Sequence, residues 1–461
     1  MLVPSLERSI GIEVYATRSA GIGGSIRLSP EDFVVEEVLV DGSKAEANRL
    51  ERNTGQAVLG SSFIKNRYLL CVLVKRNWDT FIALRNVAQE LGINPTQIQI
   101  AGIKDAKAVT AQHVTIEDVA IGDVQKLRLR DVELRPIGYL RTELSVYHLL
   151  GNSFHVRIKN VQHPRTVVER RAAETMEELH ALGGIPNFFG HQRFGMARSI
   201  THLVGKGFVK GNLKRAAMLF LTKSSPYEHP SSRQARQELR ATQDFKQALK
   251  SYPEQLRYER MMLKSLAEEP CDFVRAFKRL PAKLLQLFIQ AYQSYLFNRF
   301  LSKRIKDGFS LNVVEVGDYV INVEKSGMPL STMHRIANSK NLAEINGALL
   351  NGKMRLAIPL IGFKQHTSQG VQGEIESRIL EEEDVSACDF KVSAMWEIGS
   401  RGGLRAVMAP LLDFTLSDVS EEKAGFQNRT IKVDFTLYRS SYATIVLREF
   451  MKPRALVRAG F

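Results

Sequence analysis

The chain has 461 residues, too many for one ordinary hydrophobic core, so two or three domains are expected. It is 44% hydrophobic and 25% charged, and the apolar run Leu69–Val74 is far shorter than the roughly 20 residues a membrane helix needs, which excludes a membrane-spanning reading of it. Lys and Arg number 64 against 49 Asp and Glu, a net charge of +15, which suits a polyanionic partner such as nucleic acid as well as it suits a solvated basic surface.

The stretch GGSIRLSPEDFVVEEVLVDGS carries apolar residues at Ile26, Leu28, Phe33 and Val35 around Ser29-Pro30, which predicts a strand, a tight turn and a second strand. Tyr68–Val74 predicts a buried strand. NWDTFIALRNVAQELG predicts a helix: Asp79 caps it, Phe81, Leu84, Val87 and Leu91 recur at helical spacing, and Gly92 stops it. Asn94-Pro95 restarts the chain, and Ile98, Ile100 and Ile103 lead into AGIKDAKAVTAQ, residues 101–112. LSVYHLLGNSFHVRIKN predicts a hairpin turning at Gly151-Asn152, with Phe154, Val156 and Ile158 on one face and His155, Arg157 and Lys159 on the other. A helix from about Pro164 to Leu182 ends at Gly183-Gly184, and IPNFFGHQRFG follows.

From about residue 213 to 305 the chain is helical and rich in Lys and Arg. Its strongest helix carries Leu284, Phe288, Tyr292, Tyr295 and Phe300, which its spacing assigns to a core rather than to base stacking. Residues 310 to 408 are mixed, and the acidic run Glu381-Glu382-Glu383-Asp384 is expected on a solvated face or loop. IKVDFTLYR predicts a strand and SSYATIVLREFMK a short helix. Strands mixed with helices, and hairpins among them, favour antiparallel pairing.

There is no GxxxxGK[ST], no dinucleotide-binding glycine fingerprint and no HExxH, and the ten His residues do not cluster at ligand spacing. Neither a metal nor a nucleotide cofactor is expected. Cys71, Cys271 and Cys388 are too far apart for a metal cluster or a disulfide framework, which suits a reducing cytoplasm. The N-terminus lacks the basic start and apolar stretch of a secretory signal.

Three polar stretches punctuated by Gly, Pro or Phe lie at predicted strand edges: Arg27–Glu37, Ala101–Gln112 and Asn187–Gly195. Each alone reads as an ordinary turn. Together they closely resemble the signatures of the tRNA pseudouridine synthase D family. The family pattern G-x-K-D-x-x-A-x-T-x-Q is matched by Gly102, Lys104, Asp105, Ala108, Thr110 and Gln112. P-E-D-F-x-V is matched by Pro30–Val35, and N-[YF]-F-G-x-Q-R-F-G by Asn187–Gly195, with Phe188 where bacterial members often carry Tyr. A C-terminal pattern is matched by Tyr442-Ala443-Thr444 through Arg448-Glu449.

The resemblance, to an archaeal-type member, implies an α+β fold: a mixed, mainly antiparallel sheet flanked by helices, plus a large inserted α/β domain. Residues 1–212 would be the N-terminal part of the catalytic core, 213–408 the family-specific insertion, and 409–461 the C-terminal part of the core. It implies isomerisation of uridine to pseudouridine in tRNA, at uridine 13, without cofactor or metal, by a cytoplasmic protein taken by default as a monomer. Asp105 would be the reacting carboxylate, as nucleophile at C1′ or on the base, or as a base toward a sugar proton. Arg27 would be its ion-pair partner, because a nearby cation keeps a half-enclosed carboxylate ionised. Phe189 would stack on the extruded base, Asn187 would hold the loop or a base edge, Phe33 would wall the pocket or belong to the core, and Gln192 and Arg193 would position backbone or RNA. Lys104 is placed among the substrate contacts, although strand geometry turns it away from Asp105. The competing reading is a non-catalytic RNA-binding protein on the same fold. A carboxylate-dependent nucleosidase, which would release free uracil, is a third.

Overall fold

A computed structural model describes residues 2–48, 57–419 and 429–461. Its principal strands, in chain order, are β1 (Phe33–Leu39), β2 (Tyr68–Arg76), β3 (Ile98–Ile100), β4 (Val109–Glu117), β5 (Val132–Leu140), β6 (Leu149–Val161), β7 (Tyr319–Val323), β8 (Pro329–Ile336), β9 (Met354–Leu360), β10 (Gly403–Ala406), β11 (Leu412–Asp418) and β12 (Arg429–Tyr438). They belong to two compact units.

One unit comprises Thr17–Ile185 and Ala409–Phe461. Its eight-stranded sheet runs β11-β12-β6-β1-β4-β2-β5, with β3 added on β4. Only the β1–β4 pair is parallel. Strand alternation sends Leu69, Cys71 and Leu73 of β2 to one face. There they pack with Val114, Ile116 and the helix Thr80–Leu91. That helix starts and stops as its caps predict. The Asp79 carboxylate accepts from the main-chain N–H groups of Phe81 and Ile82, and Gly92 takes the left-handed conformation. Its buried stripe is Ala83, Leu84, Val87 and Ala88, whereas Phe81 is exposed.

Two sequence-derived elements differ. Ile26–Leu28 forms no strand; Ser25 makes a single bridge to Lys159, Arg27 turns into the left-handed region at φ 57°, and Pro30–Asp32 is a short 3-10 turn. Gly151-Asn152 is not a turn either. Both lie within the continuous strand β6, between β1 and β12. Glycine is needed there because a Cβ at residue 151 would sit 2.1 Å from the carbonyl oxygen of Leu437. The faces of β6 are as predicted, with Phe154, Val156 and Ile158 buried.

Segments from the beginning and the end of this unit's chain meet within it. The C-terminal helix Ala443–Met451 presents Glu449, whose carboxylate accepts from the N–H (3.1 Å) and the hydroxyl (2.8 Å) of Thr17. Ile22 and Ile26 donate main-chain hydrogen bonds to Phe450 and Ala459. The C-terminal motif is thus a clamp on the segment that leads to Arg27.

The other unit comprises Met1–Ala16 and Pro186–Met408. Residues 186–212, grouped with the preceding chain in the sequence-based division, lie in it. It holds helices over Thr201–Val209, Leu213–Thr222, Pro230–Thr242, Phe245–Ser251, Arg257–Glu268 and Phe273–Lys278, the long helix Ala282–Lys306, and the antiparallel sheet β10-β9-β7-β8. The long helix is buried on most sides, including Phe288, Tyr292 and Phe300. The acidic run is not simply solvated. Glu383 accepts from Lys206 (2.6 Å), Tyr295 (3.1 Å) and Arg299 (2.9 Å). No described helix is long and apolar enough to cross a membrane.

Gly151→Ala is expected to destabilise the protein by about 1–3 kcal/mol, the usual cost of overpacking a closed site. Urea unfolding measures this, and an unchanged midpoint would show that β6 and β12 can separate to admit the methyl group.

Candidate active site

Asp105 lies in the loop between β3 and β4, whose main chain is held at Gly102, Lys104 and Asp105. The Gln112 side-chain amide donates to the Gly102 carbonyl at 3.0 Å. The Thr80 hydroxyl donates to the Lys104 carbonyl at 3.1 Å and accepts from the Lys104 N–H at 3.3 Å. The Lys75 ammonium donates to the carbonyl of Asp105 itself at 2.7 Å.

Successive side chains of this loop take opposite directions. Lys104 turns inward, with its ammonium 2.6 Å from the Glu37 carboxylate, and both side chains are almost wholly buried. The second Glu37 oxygen accepts from the His113 main-chain N–H at 2.8 Å. Burial draws the Glu37 carboxyl upward, but hydrogen bonding from His113 and the Lys104 charge outweigh it, so Glu37 sits below the usual carboxylate range. Lys104 was expected among the substrate contacts. Its charge is committed to Glu37 instead, and withdrawing it would leave a buried carboxylate uncompensated.

Asp105 turns outward. Its side chain is 29% exposed, and Arg27 Nη2 lies 3.2 Å from its Oδ1. Arg27 is buried, with its guanidinium carbon 4.0 Å from the centre of the Phe33 ring. Burial draws the guanidinium below its ordinary value, and the Asp105 charge opposes that shift. An arginine stays charged across the working range, so the guanidinium is a fixed cation beside the carboxylate. Phe33 is 1% exposed. It is a floor for Arg27 rather than a surface open to a ligand.

The Asn187–Gly195 motif lies in the other unit and is equally well tied down. The Asn187 amide donates to the Ala406 carbonyl at 3.0 Å, and Arg405 donates to the Asn187 carbonyl (2.9 Å) and side-chain oxygen (2.6 Å). The Phe189 main chain is clasped by the Asn298 side chain, which accepts from its N–H at 2.8 Å and donates to its carbonyl at 3.0 Å. The Phe189 ring is 8% exposed, with Arg405 at 4.0 Å from its centre and Phe297 edge-on at 5.5 Å. That enclosure leaves a base little of the ring to stack on. Arg193 donates to Ser294 and Gln290, and Gln192 is exposed.

Two residues that the sequence reading did not single out stand beside the expected ones. Lys75 follows Leu69, Cys71 and Leu73 at strand spacing, and a lysine ending so apolar a run is a legible signal. Arg405 lies 218 residues from Asn187, and nothing local announces it. Among the described residues, no group of three or more His, Cys, Asp or Glu could hold a metal ion.

Comparison with known proteins places these features in a family. The family model for tRNA pseudouridine synthase D (TruD) matches residues 9–450. "Probable tRNA pseudouridine synthase D" of Methanosarcina acetivorans is 38% identical over 456 residues, 98% of each chain. The protein of the same name from Pyrococcus abyssi is 34% identical over 438 residues, covering 95% of this chain and 98% of that one. The crystal structure of the TruD protein of Methanosarcina mazei superposes with a TM-score of 0.82 at 35% identity, covering 98% of this chain and 99% of that one.

Lys104→Met is expected to lower stability in urea unfolding by about 3–5 kcal/mol, the cost of stranding a buried charge. A substrate-facing lysine would leave stability within about 0.5 kcal/mol and weaken tRNA binding instead.

Proposed function

This chain belongs to the tRNA pseudouridine synthase D family, and from that premise we propose that it isomerises uridine to pseudouridine in tRNA, with Asp105 as the reacting carboxylate. The observation that carries the reading is the Arg27–Asp105 pair. A partly exposed carboxylate is held at 3.2 Å by a buried guanidinium, on a loop whose main chain is fixed at three points.

The reaction breaks the N1–C1′ bond of uridine, turns the base and forms a C5–C1′ bond, with the C5 proton lost and a proton gained at N1. It is redox-neutral. The carboxylate acts as the nucleophile, and Arg27 keeps it aimed. The target base leaves its stack to reach Asp105, and the +15 net charge favours the phosphate backbone that carries it. In the other unit, Asn187, Phe189 and Arg405 form a closed cluster rather than an open stacking platform, and Gln192 and Arg193 lie on the same motif for backbone contacts. We take uridine 13 of the D arm as the target. Sequencing pseudouridine positions in tRNA from cells lacking the gene tests that choice.

The test of the chemistry is tritium release from tRNA labelled at C5 of uridine. Asp105→Asn is expected to lower release by at least about 10³-fold while leaving tRNA binding intact. Equal release from both proteins would remove Asp105 from the mechanism. Salt-sensitive tRNA binding with no pseudouridine formed by either protein would favour the non-catalytic RNA-binding reading.

A further inference from the structure

Lys75 has no role in the chemistry described so far, yet it is wholly buried. It continues the alternation Leu69, Cys71, Leu73 on the helix-covered face of β2, where a leucine or methionine would pack without desolvating a charge. In register it stands opposite Thr110 of β4, which stands opposite Val35 of β1. The ammonium therefore lies on the same sheet face as Phe33 and Glu37, against which the Asp105 loop is laid.

Its two hydrogen bonds go to main-chain carbonyls, that of Asp105 at 2.7 Å and that of Trp78 at 2.8 Å. The Asp105 carbonyl belongs to the peptide that follows the Asp105 Cα. Thr80 holds the carbonyl of Lys104, and that carbonyl belongs to the peptide that precedes the same Cα. Between them, Lys75 and Thr80 anchor both peptide planes flanking the carboxylate-bearing carbon, and Arg27 meets the side chain that this carbon carries. Bonds from an ammonium to carbonyl oxygens are charge-assisted, so this anchor is stronger than a hydroxyl at the same place. Burial pushes the Lys75 ammonium down to about 8, while the Asp105 and Asp79 charges oppose that shift. The same ammonium thus also places positive charge behind the carboxylate.

We propose that Lys75 is a positioning residue for Asp105, pinning the loop that carries the carboxylate to the loop that carries Trp78. This rests on the reading of Asp105 as the reacting group. The experiment compares wild type, Lys75→Met, Lys75→Arg and Asp105→Asn as full chains, by single-turnover tritium release and by tRNA affinity. Lys75→Met is expected to slow the single-turnover step on the order of 100-fold, as misplacing a reacting group by about 1 Å does, with the tRNA dissociation constant unchanged. Lys75→Arg, which keeps charge and donors, is expected to recover most of the rate.

A Lys75→Met protein that turns over like wild type overturns the inference and leaves Asp105 in place. So does one that loses tRNA affinity but keeps its single-turnover rate. Full activity in Asp105→Asn instead overturns the reading beneath it. If Lys75→Met does not fold, Lys75→Gln is measured in its place and judged by the same outcomes.

Discussion

The site in the sheet-bearing unit depends on one ionic contact, that between the buried Arg27 guanidinium and the half-exposed Asp105 carboxylate. A guanidinium in a low-dielectric site is costly to leave unpaired, and a carboxylate proposed to react needs a partner that fixes its direction. Each group answers the requirement of the other. The rest of this unit can be read as the support of that contact. The C-terminal tail and Lys159 hold the segment that presents Arg27, the Phe33 ring backs its guanidinium, and Lys75 at the end of β2 holds the loop that presents Asp105.

The loop also separates two charges that adjacent residues would otherwise bring together. Lys104 goes inward to Glu37, and Asp105 goes outward to Arg27. The inward pair is buried and anchors the chain; the outward pair is open enough to meet a substrate. A lysine next to the aspartate proposed to react invites the reading of a substrate contact. The hydrogen bonds that fix the loop main chain decide otherwise, because they leave Lys104 directed at Glu37 and Asp105 at Arg27.

Much of this was legible in the sequence, and the exceptions have physical causes. Asp79 and Gly92 bounded their helix because caps are local. Arg27 read as part of a strand because Ile26 and Leu28 alternate, yet its backbone turns left-handed where the distant residues Lys159 and Ala459 hold the segment before it. Gly151-Asn152 carries the composition of a hairpin turn, but tight approach of Leu437 gives the glycine a different purpose. Phe189 looked like a stacking surface, and its enclosure by Arg405 and Phe297 arises from chain more than a hundred residues away. Local chemistry marked the residues of the site; long-range packing decided which of them can face a ligand.

The central claim is that Arg27 organises Asp105 for reaction rather than merely completing the fold. The direct measurement is the single-turnover rate of Arg27→Met on tRNA, taken together with its tRNA affinity and its unfolding midpoint. The account predicts a rate lowered on the order of 100-fold in a folded protein whose tRNA affinity is unchanged, the loss expected when one preorganised charge is removed from a reacting centre. A folded Arg27→Met protein that turns over at the wild-type rate would contradict it.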